Sequence, residues 1–501
     1  MKRRSNAFPP GHSAAVDKIK AGIGLQSQGN IREALACFRD AVKLAPENPA
    51  AHYSLGHLLQ QMGQIDQAID CYKKILLITP DHADTHNILG SAYQEKGELD
   101  NAVACYRNAI RCDGNSFMAY NNLGATLRLQ GNLDEAVASY QNALQIKPDF
   151  AAAMNNLGTA LRDKGDLDDA MSWYRKAIQL TPDFADAHWN LSFALLLAGL
   201  FQEGWQEYEW IWKLKKPKYR LPQPLWDGAD IRGKRILLYA EQGFGDVIQF
   251  VRYAPMVKGK GAEVILGCQK ELKVLLKSVV GVSSVVAFGE PIPQFDLQCP
   301  LPSLPRIFHT TIDSIPSQVP YMNADLQSVS KWRHRLHIDN SSLNIGLVWA
   351  GSPGHLNDRK RSCPIDLFLP IARIDGLRLF SLQKEIPDRW ASGSVTEMNL
   401  VDYMEEIEDF SDTAGIIMNL DLIISVDTAV AHLAGALGKP VWTLLPFAPD
   451  WRWMLNRDDS PWYPTMRLFR QPSSNDWESV ISKVRNELEK CFTEKTFYDE
   501  C

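Results

Sequence analysis

Two short stretches of this chain hold side chains whose type and spacing suit chemistry. In "LLYAEQGFGDVIQFVRYAP" a β-rich run gives way to two glycines and then Asp246, at the point where a strand hands over to a helix. A carboxylate at such a turn projects into whatever cleft lies beyond the strand, or serves only as a helix cap. In "DLIISVDTAVAHLAGALGKPVWTLLP" a buried run ends at Asp427 and a helix is expected from about Thr428. A helix N-terminus offers free backbone N–H groups and partial positive charge, which suits a diphosphate. Asp427 could instead cap that helix, and His432, one turn below Thr428 on the same face, has a structural reading beside the ligand-binding one.

The elements that must position these residues lie in the second half of the chain. Short β-rich runs, "RILLYA", "AEVILG", "SSVVAF", "NIGLVWAG", "LRLFSLQ", "DLIISVD" and "KPVWTLL", alternate with helical patterns. This alternation predicts parallel sheets covered by helices on both faces. The tract from Tyr321 to Leu326 divides it into two Rossmann-like lobes, 234–325 and 326–501. Two such lobes facing a cleft suggest the GT-B arrangement, with ligands outside the carboxyl ends of the strands. No Gly-rich phosphate loop is present, which argues against a dinucleotide fingerprint and a P-loop.

The first half, 13–216, is organised by a period of 34 residues. Glycines recur at Gly29, Gly63, Gly97, Gly131, Gly165 and Gly199, alanines at Ala34, Ala68, Ala102, Ala136 and Ala170, and aromatics at Phe38, Tyr72, Tyr106, Tyr140 and Tyr174. Each unit reads as two amphipathic helices around a Gly-centred turn, and Pro46, Pro80, Pro148 and Pro182 close their units. The pattern resembles the tetratricopeptide repeat, which implies an α-solenoid with a concave surface. The residue before Leu-Gly or Leu-Ser is Asn122, Asn156 and Asn190 in the later units, with Ser54 and Ile88 in the earlier ones. Such amides could bond a peptide backbone in the groove, as in the similar asparagine ladder of O-GlcNAc transferase solenoids, or merely tie neighbouring helices together. From 217 to 233 the period dissolves into aromatic, basic and proline-rich sequence, where Trp205, Tyr208, Trp210, Trp212 and Trp226 are expected to make a rigid joint.

Bulk composition narrows the classes. At 501 residues, with 45% apolar and 22% charged residues and a net charge of −6, the chain has several ordinary cores and no basic excess for nucleic acid. No apolar run approaches the roughly 18 residues of a membrane span, so a cytoplasmic protein is expected. The nine cysteines form no CxxC pair, and Cys37, Cys71 and Cys105 simply follow the repeat.

"DTAVAHLAGALGKP" closely resembles the Asp-Thr-Gly-x-x-His-Leu-Ala tract of the lipopolysaccharide heptosyltransferase family, with Ala429 where that family has Gly. "GFGDVIQF" is similar to its first strand-to-helix turn, and "RSCPIDLFLPIA" to its Lys/Arg-x-x-Pro helix start. The resemblance implies that Asp246 is the catalytic base of an inverting sugar transfer and that Arg361, with Lys360 as the alternative, clamps the donor diphosphate. It places Asp427 and His432 near ribose or phosphates, and Gln383 follows "LRLFSLQ" where it would meet nucleotide or sugar. No Asp-x-Asp motif lies at a strand end and Asp458-Asp459 reads as a surface turn, so no metal or other cofactor is expected, the nucleotide-diphosphate sugar being the substrate. Trp451, Trp453, Trp462 and Tyr463 suit either a sugar or the lobe interface. The final helix, "DWESVISKVRNELEKCF", is expected to cross back onto the first lobe.

The order of repeats followed by two lobes is also that of O-GlcNAc transferase, which implies a protein or peptide acceptor. The two resemblances point to different donors, UDP-GlcNAc or an ADP-heptose. The other readings are a tetratricopeptide adaptor with a non-catalytic transferase-like domain, and a nucleotide-sugar epimerase, which would leave the solenoid without a role.

Overall fold

The computed structural model describes residues 12–215, 221–338, 342–352, 354, 358–384 and 397–494. The chain divides into two compact units, Met1–Ala187 and His188–Cys501.

The first unit is built of antiparallel helix pairs, from His12–Ser27 and Ile31–Leu44 to Ala151–Lys164 and Leu167–Leu180. The turn glycines of the sequence pattern take left-handed φ values, +85° at Gly97 and +86° at Gly131, which residues with a Cβ adopt at a cost. The aromatic column fills the space each helix pair leaves. Tyr106 is fully buried against Gly90, where a Cβ would stand 2.7 Å from the ring, so the second glycine of each unit is there for close approach.

In the second unit the first sheet holds β1 (Arg235–Tyr239), β2 (Glu263–Cys268), β3 (Val282–Ala287) and β4 (Leu297–Pro300), in the order β3-β2-β1-β4 and all parallel. The second sheet holds β5 (Leu343–Val348), β6 (Leu377–Ser381), β7 (Leu422–Val426), β8 (Val441–Leu445) and β9 (Met466–Arg470), in the order β6-β5-β7-β8-β9 and again all parallel. Strands β4 and β9 are absent from the sequence reading. The first is four residues long and ends in proline, and the second is an edge strand whose arginines break up its apolar run.

The final helix, Trp477–Glu494, does not cross back onto the first lobe. Trp477, Val480, Ile481, Val484 and Leu488 form a stripe at helical spacing that packs into the core of the second sheet with Ile345, Leu347 and Phe368, and Arg467 of β9 pairs with Glu487 at 2.8 Å.

The division between the units falls inside the helix Ala185–Leu197, earlier than the 217–233 tract. The reason is aromatic packing. On the helix Phe201–Tyr208, Trp205 donates to the carbonyl of Thr310 at 3.1 Å and meets Trp451 edge-on at 5.2 Å, while Trp212 donates to Ser303 Oγ at 3.3 Å. The incomplete last repeat is thereby part of the α/β core.

Candidate functional site

Asp246 and Asp427 both follow strands at which the sheet order reverses. β1 lies between β2 and β4, and its carboxyl end leads into the helix Phe244–Phe250 carrying Asp246. β7 lies beside β5, and its carboxyl end leads through Asp427 into the helix Ala429–Ala436. Switch points of this kind leave a crevice beyond the strands, because the flanking helices depart in opposite directions. The two helices meet: a Cβ on Gly245 would lie 2.8 Å from the His432 ring, so only glycine allows this approach.

Asp246 is both a cap and a cleft residue. Its Oδ2 accepts the backbone N–H of Gly243 at 2.9 Å, and its Oδ1 accepts from the Arg452 guanidinium. The carboxyl keeps 18% of its surface. Burial and the neighbouring Asp450 push it above the usual carboxylate range, against the attraction of Arg452.

At the second helix start, Thr428 is the N-terminal boundary residue, yet no side chain caps the first turn. Thr428 Oγ1 instead meets Ser425 Oγ at 3.1 Å, and Thr428 and Ala429 remain partly exposed. The first-turn N–H groups therefore keep the anion-binding character expected of them. Asp427 is not the cap. Burial and Asp450 raise its carboxyl to about 6, while Arg361 and Arg452 oppose the rise.

His432 is buried. Its Nδ1 meets the Tyr463 hydroxyl at 2.8 Å, its Nε2 lies 3.9 Å from Asp427, and its ring stacks on Trp453. Burial, reinforced by Arg452, Arg252 and Arg361, holds the imidazole neutral with a pKa well below its ordinary value. The ring supports Asp427 and Gly245 from behind, which favours the structural reading.

Arg361 is fixed by a zipper onto the end of β5. The Cys363 N–H donates to the Trp349 carbonyl at 2.8 Å, the Gly351 N–H donates to Ser362 Oγ at 3.0 Å, and Ser362 donates to Asp358 at 2.8 Å. The guanidinium then lies against Gly351, and its buried Nε has no hydrogen-bond acceptor in the protein. An unmet donor beside an uncapped helix start is the arrangement an incoming oxyanion would satisfy. Lys360 precedes it on the same short helix and is partly buried. Gln383 faces inward: its Oε1 accepts the N–H groups of Trp349 and Ala350, at 3.3 and 2.9 Å, and so fixes the carboxyl end of β5.

Trp451, Trp453, Trp462 and Tyr463 are all fully buried, so they pack the interior instead of offering faces to a sugar. The same segment holds the functional residue the sequence reading missed. Arg452 donates to Asp246, Asp450 and Gln249. Its signal was a lone arginine between two tryptophans, which must be buried with them and so must have partners.

On the helical repeats, Asn122 Nδ2 donates to Asn87 Oδ1 at 3.1 Å and Asn156 Nδ2 donates to Asn121 Oδ1 at 3.0 Å. The amides thus tie adjacent units together through a second column, Asn87, Asn121 and Asn155, which has the same 34-residue period and went unnoticed beside the first. Asn190 is partly buried on the helix Ala185–Leu197.

Models of the tetratricopeptide repeat match residues 25–92, 90–131 and 115–183. The first half is a tetratricopeptide-repeat array. Among curated proteins, protein FlbA of Caulobacter vibrioides is 24% identical over 319 residues, covering 59% of this chain and 53% of that protein. The chain thus spans about half the length of that relative. Among solved structures, a thermophilic TPR protein of Thermus thermophilus is 26% identical, with 36% of this chain and 99% of that chain covered and a TM-score of 0.31. YrrB, described as a TPR protein with an unusual peptide-binding site, is 25% identical, with 34% and 89% covered and a TM-score of 0.30. Tetratricopeptide repeats stack one unit on the next, in keeping with the amide ties between neighbours. Among the described residues no helix is long and apolar enough to cross a membrane.

Proposed function

We propose that the second unit is an inverting, metal-independent glycosyltransferase of the GT-B type, and that it moves a sugar from a nucleotide-diphosphate donor to a hydroxyl of a protein or peptide held by the repeats in the cytoplasm. The observation that carries this reading is the meeting of two switch points. One supplies a carboxylate with a raised pKa, Asp246; the other supplies an uncapped helix start with Arg361 and its unmet donor beside it.

In this scheme Asp246 takes the proton of the acceptor hydroxyl as its oxygen bonds to the anomeric carbon. The bond from that carbon to the diphosphate breaks on the opposite face, which inverts the centre. The leaving diphosphate is received by Arg361 and by the first-turn N–H groups at Thr428 and Ala429, so positive charge is in place where negative charge develops. The motifs leave UDP-GlcNAc and ADP-heptose as the donor candidates. The amide columns on the repeats suit the backbone of an extended peptide, each amide keeping bonding capacity beyond its tie to the neighbouring unit.

Thermal unfolding with a panel of nucleotide diphosphates and their sugars tests the reading. One diphosphate should raise the midpoint in the wild type and not in Arg361→Ala, as ligand linkage requires. No response to any member would favour the second reading, a tetratricopeptide adaptor whose transferase-like unit does not turn over. That reading draws on one observation, that both oxygens of Asp246 already have protein partners.

A further inference from the structure

We propose that Arg452 is the positioning residue for Asp246, fixing from the second lobe the direction of a carboxylate that belongs to the first. This rests on the transferase reading above. The guanidinium divides its donors among Asp246 and Gln249 of the helix Phe244–Phe250 and Asp450 of its own turn, the last at 2.7 Å. Its side chain is 9% exposed and lies over the Trp451 ring, 4.3 Å from the centroid, so it has little freedom to turn away. With Gly243 N–H on Oδ2 and Arg452 on Oδ1, the plane of the carboxylate is set from two sides, and each oxygen keeps a further lone pair for an acceptor hydroxyl. The other charged or titratable groups acting on Asp246 are Asp450, Lys215 from the end of the last repeat, and the Tyr208 hydroxyl.

Arg252 provides the contrast. It too is buried and crosses between the lobes, but its guanidinium donates to the carbonyls of Gln249 and Trp462, at 2.8 and 2.6 Å, and to the Tyr321 hydroxyl at 2.9 Å. It braces the same interface without touching the carboxylate.

The test uses the full chain labelled with carboxyl-¹³C aspartate, the Asp246 resonance being identified by its loss in Asp246→Asn. In Arg452→Gln the Asp246 titration should move to higher pH, because an opposite charge that favours the ionised form has gone. In Arg452→Lys the titration should stay near that of the wild type while kcat falls by roughly 100-fold, the charge being kept and the orientation lost. Arg252→Gln should leave the titration in place. An unmoved titration in Arg452→Gln, or an unchanged kcat in Arg452→Lys, overturns the proposal; if the glutamine variant does not fold, the lysine variant decides. A moved titration in a protein that binds no nucleotide diphosphate leaves the geometry standing and overturns the transferase reading instead.

Discussion

Tyr106 and Trp205 are both large aromatic side chains buried to the last atom, but they are buried in different ways. Tyr106 packs on Gly90 of its own unit and bonds Gln94 at 3.2 Å, all within a short stretch of chain. Trp205 reaches Thr310, Phe250, Trp451 and Trp462, residues drawn from both sheets and up to half the chain away. Repeats satisfy their cores with neighbours, so damage is felt locally and the same solution can be used again. The α/β unit uses each contact once, and several of those contacts run directly behind Asp246. Its chemistry and its stability therefore share residues, whereas in the repeats the amide columns stand apart from the aromatic core.

The largest test of that contrast is Asp246→Asn. Sugar transfer should fall by about 10³-fold, as loss of a general base implies, while binding of the donor and of any partner of the repeats is kept. Transfer at the wild-type rate, followed as nucleotide release, would break the assignment. Next is Trp205→Ala, which should lower the stability of the second unit by about 3–5 kcal/mol. Calorimetry should show the repeat transition unmoved; a shift in both would mean that the two units do not unfold independently.

A smaller effect is expected from the buried pair. Asp427, with its carboxyl raised to about 6, binds a proton in the folded state that the unfolded chain has already lost, so its contribution falls as pH rises from about 4 to about 6. His432 is held neutral, so its contribution falls as pH drops below about 6.5, where the unfolded chain takes up a proton. The two slopes oppose each other between those limits. Removing the first with Asp427→Asn should make the midpoint of the second unit fall more steeply on acidification, and an unchanged slope would contradict the assignment. Smallest of all, Asn156→Ala removes one partly buried amide bond between units and should cost about 1 kcal/mol in denaturant unfolding.

The same contrast decides what could be read from the residues alone. Periodic identities expose the repeats, because a solution used many times leaves columns in register. The strand-to-helix turns that carry Asp246 and Asp427 were legible because local physics makes them: a buried run, then a small or polar residue, then a helical pattern. Arg361 was reached through its spacing from Pro364. The bracing of Asp246 by Arg452 was not legible, since the two lie 206 positions apart and the segment around Arg452 has no regular element beyond one short turn. Gln383 and His432 have chemistry that suits a ligand, but only burial and partners show that they face the interior. The docking of the last helix was missed for a related reason, because an apolar stripe says that a helix packs and not against what.

The hydrogen bond from Trp205 to Thr310 also bears on how such a chain can be taken apart. It makes the last repeat a fixed fitting of the α/β unit, so the natural cut between receptor and engine lies near Thr181–Pro182 and not in the proline-rich stretch that looks like a linker. A fragment starting at 221 would carry an open aromatic socket and aggregate; one starting at 182 would bring its own plug. Repeats ahead of that point could be added, removed or exchanged, by evolution or by design, and the engine would inherit the same fitting each time.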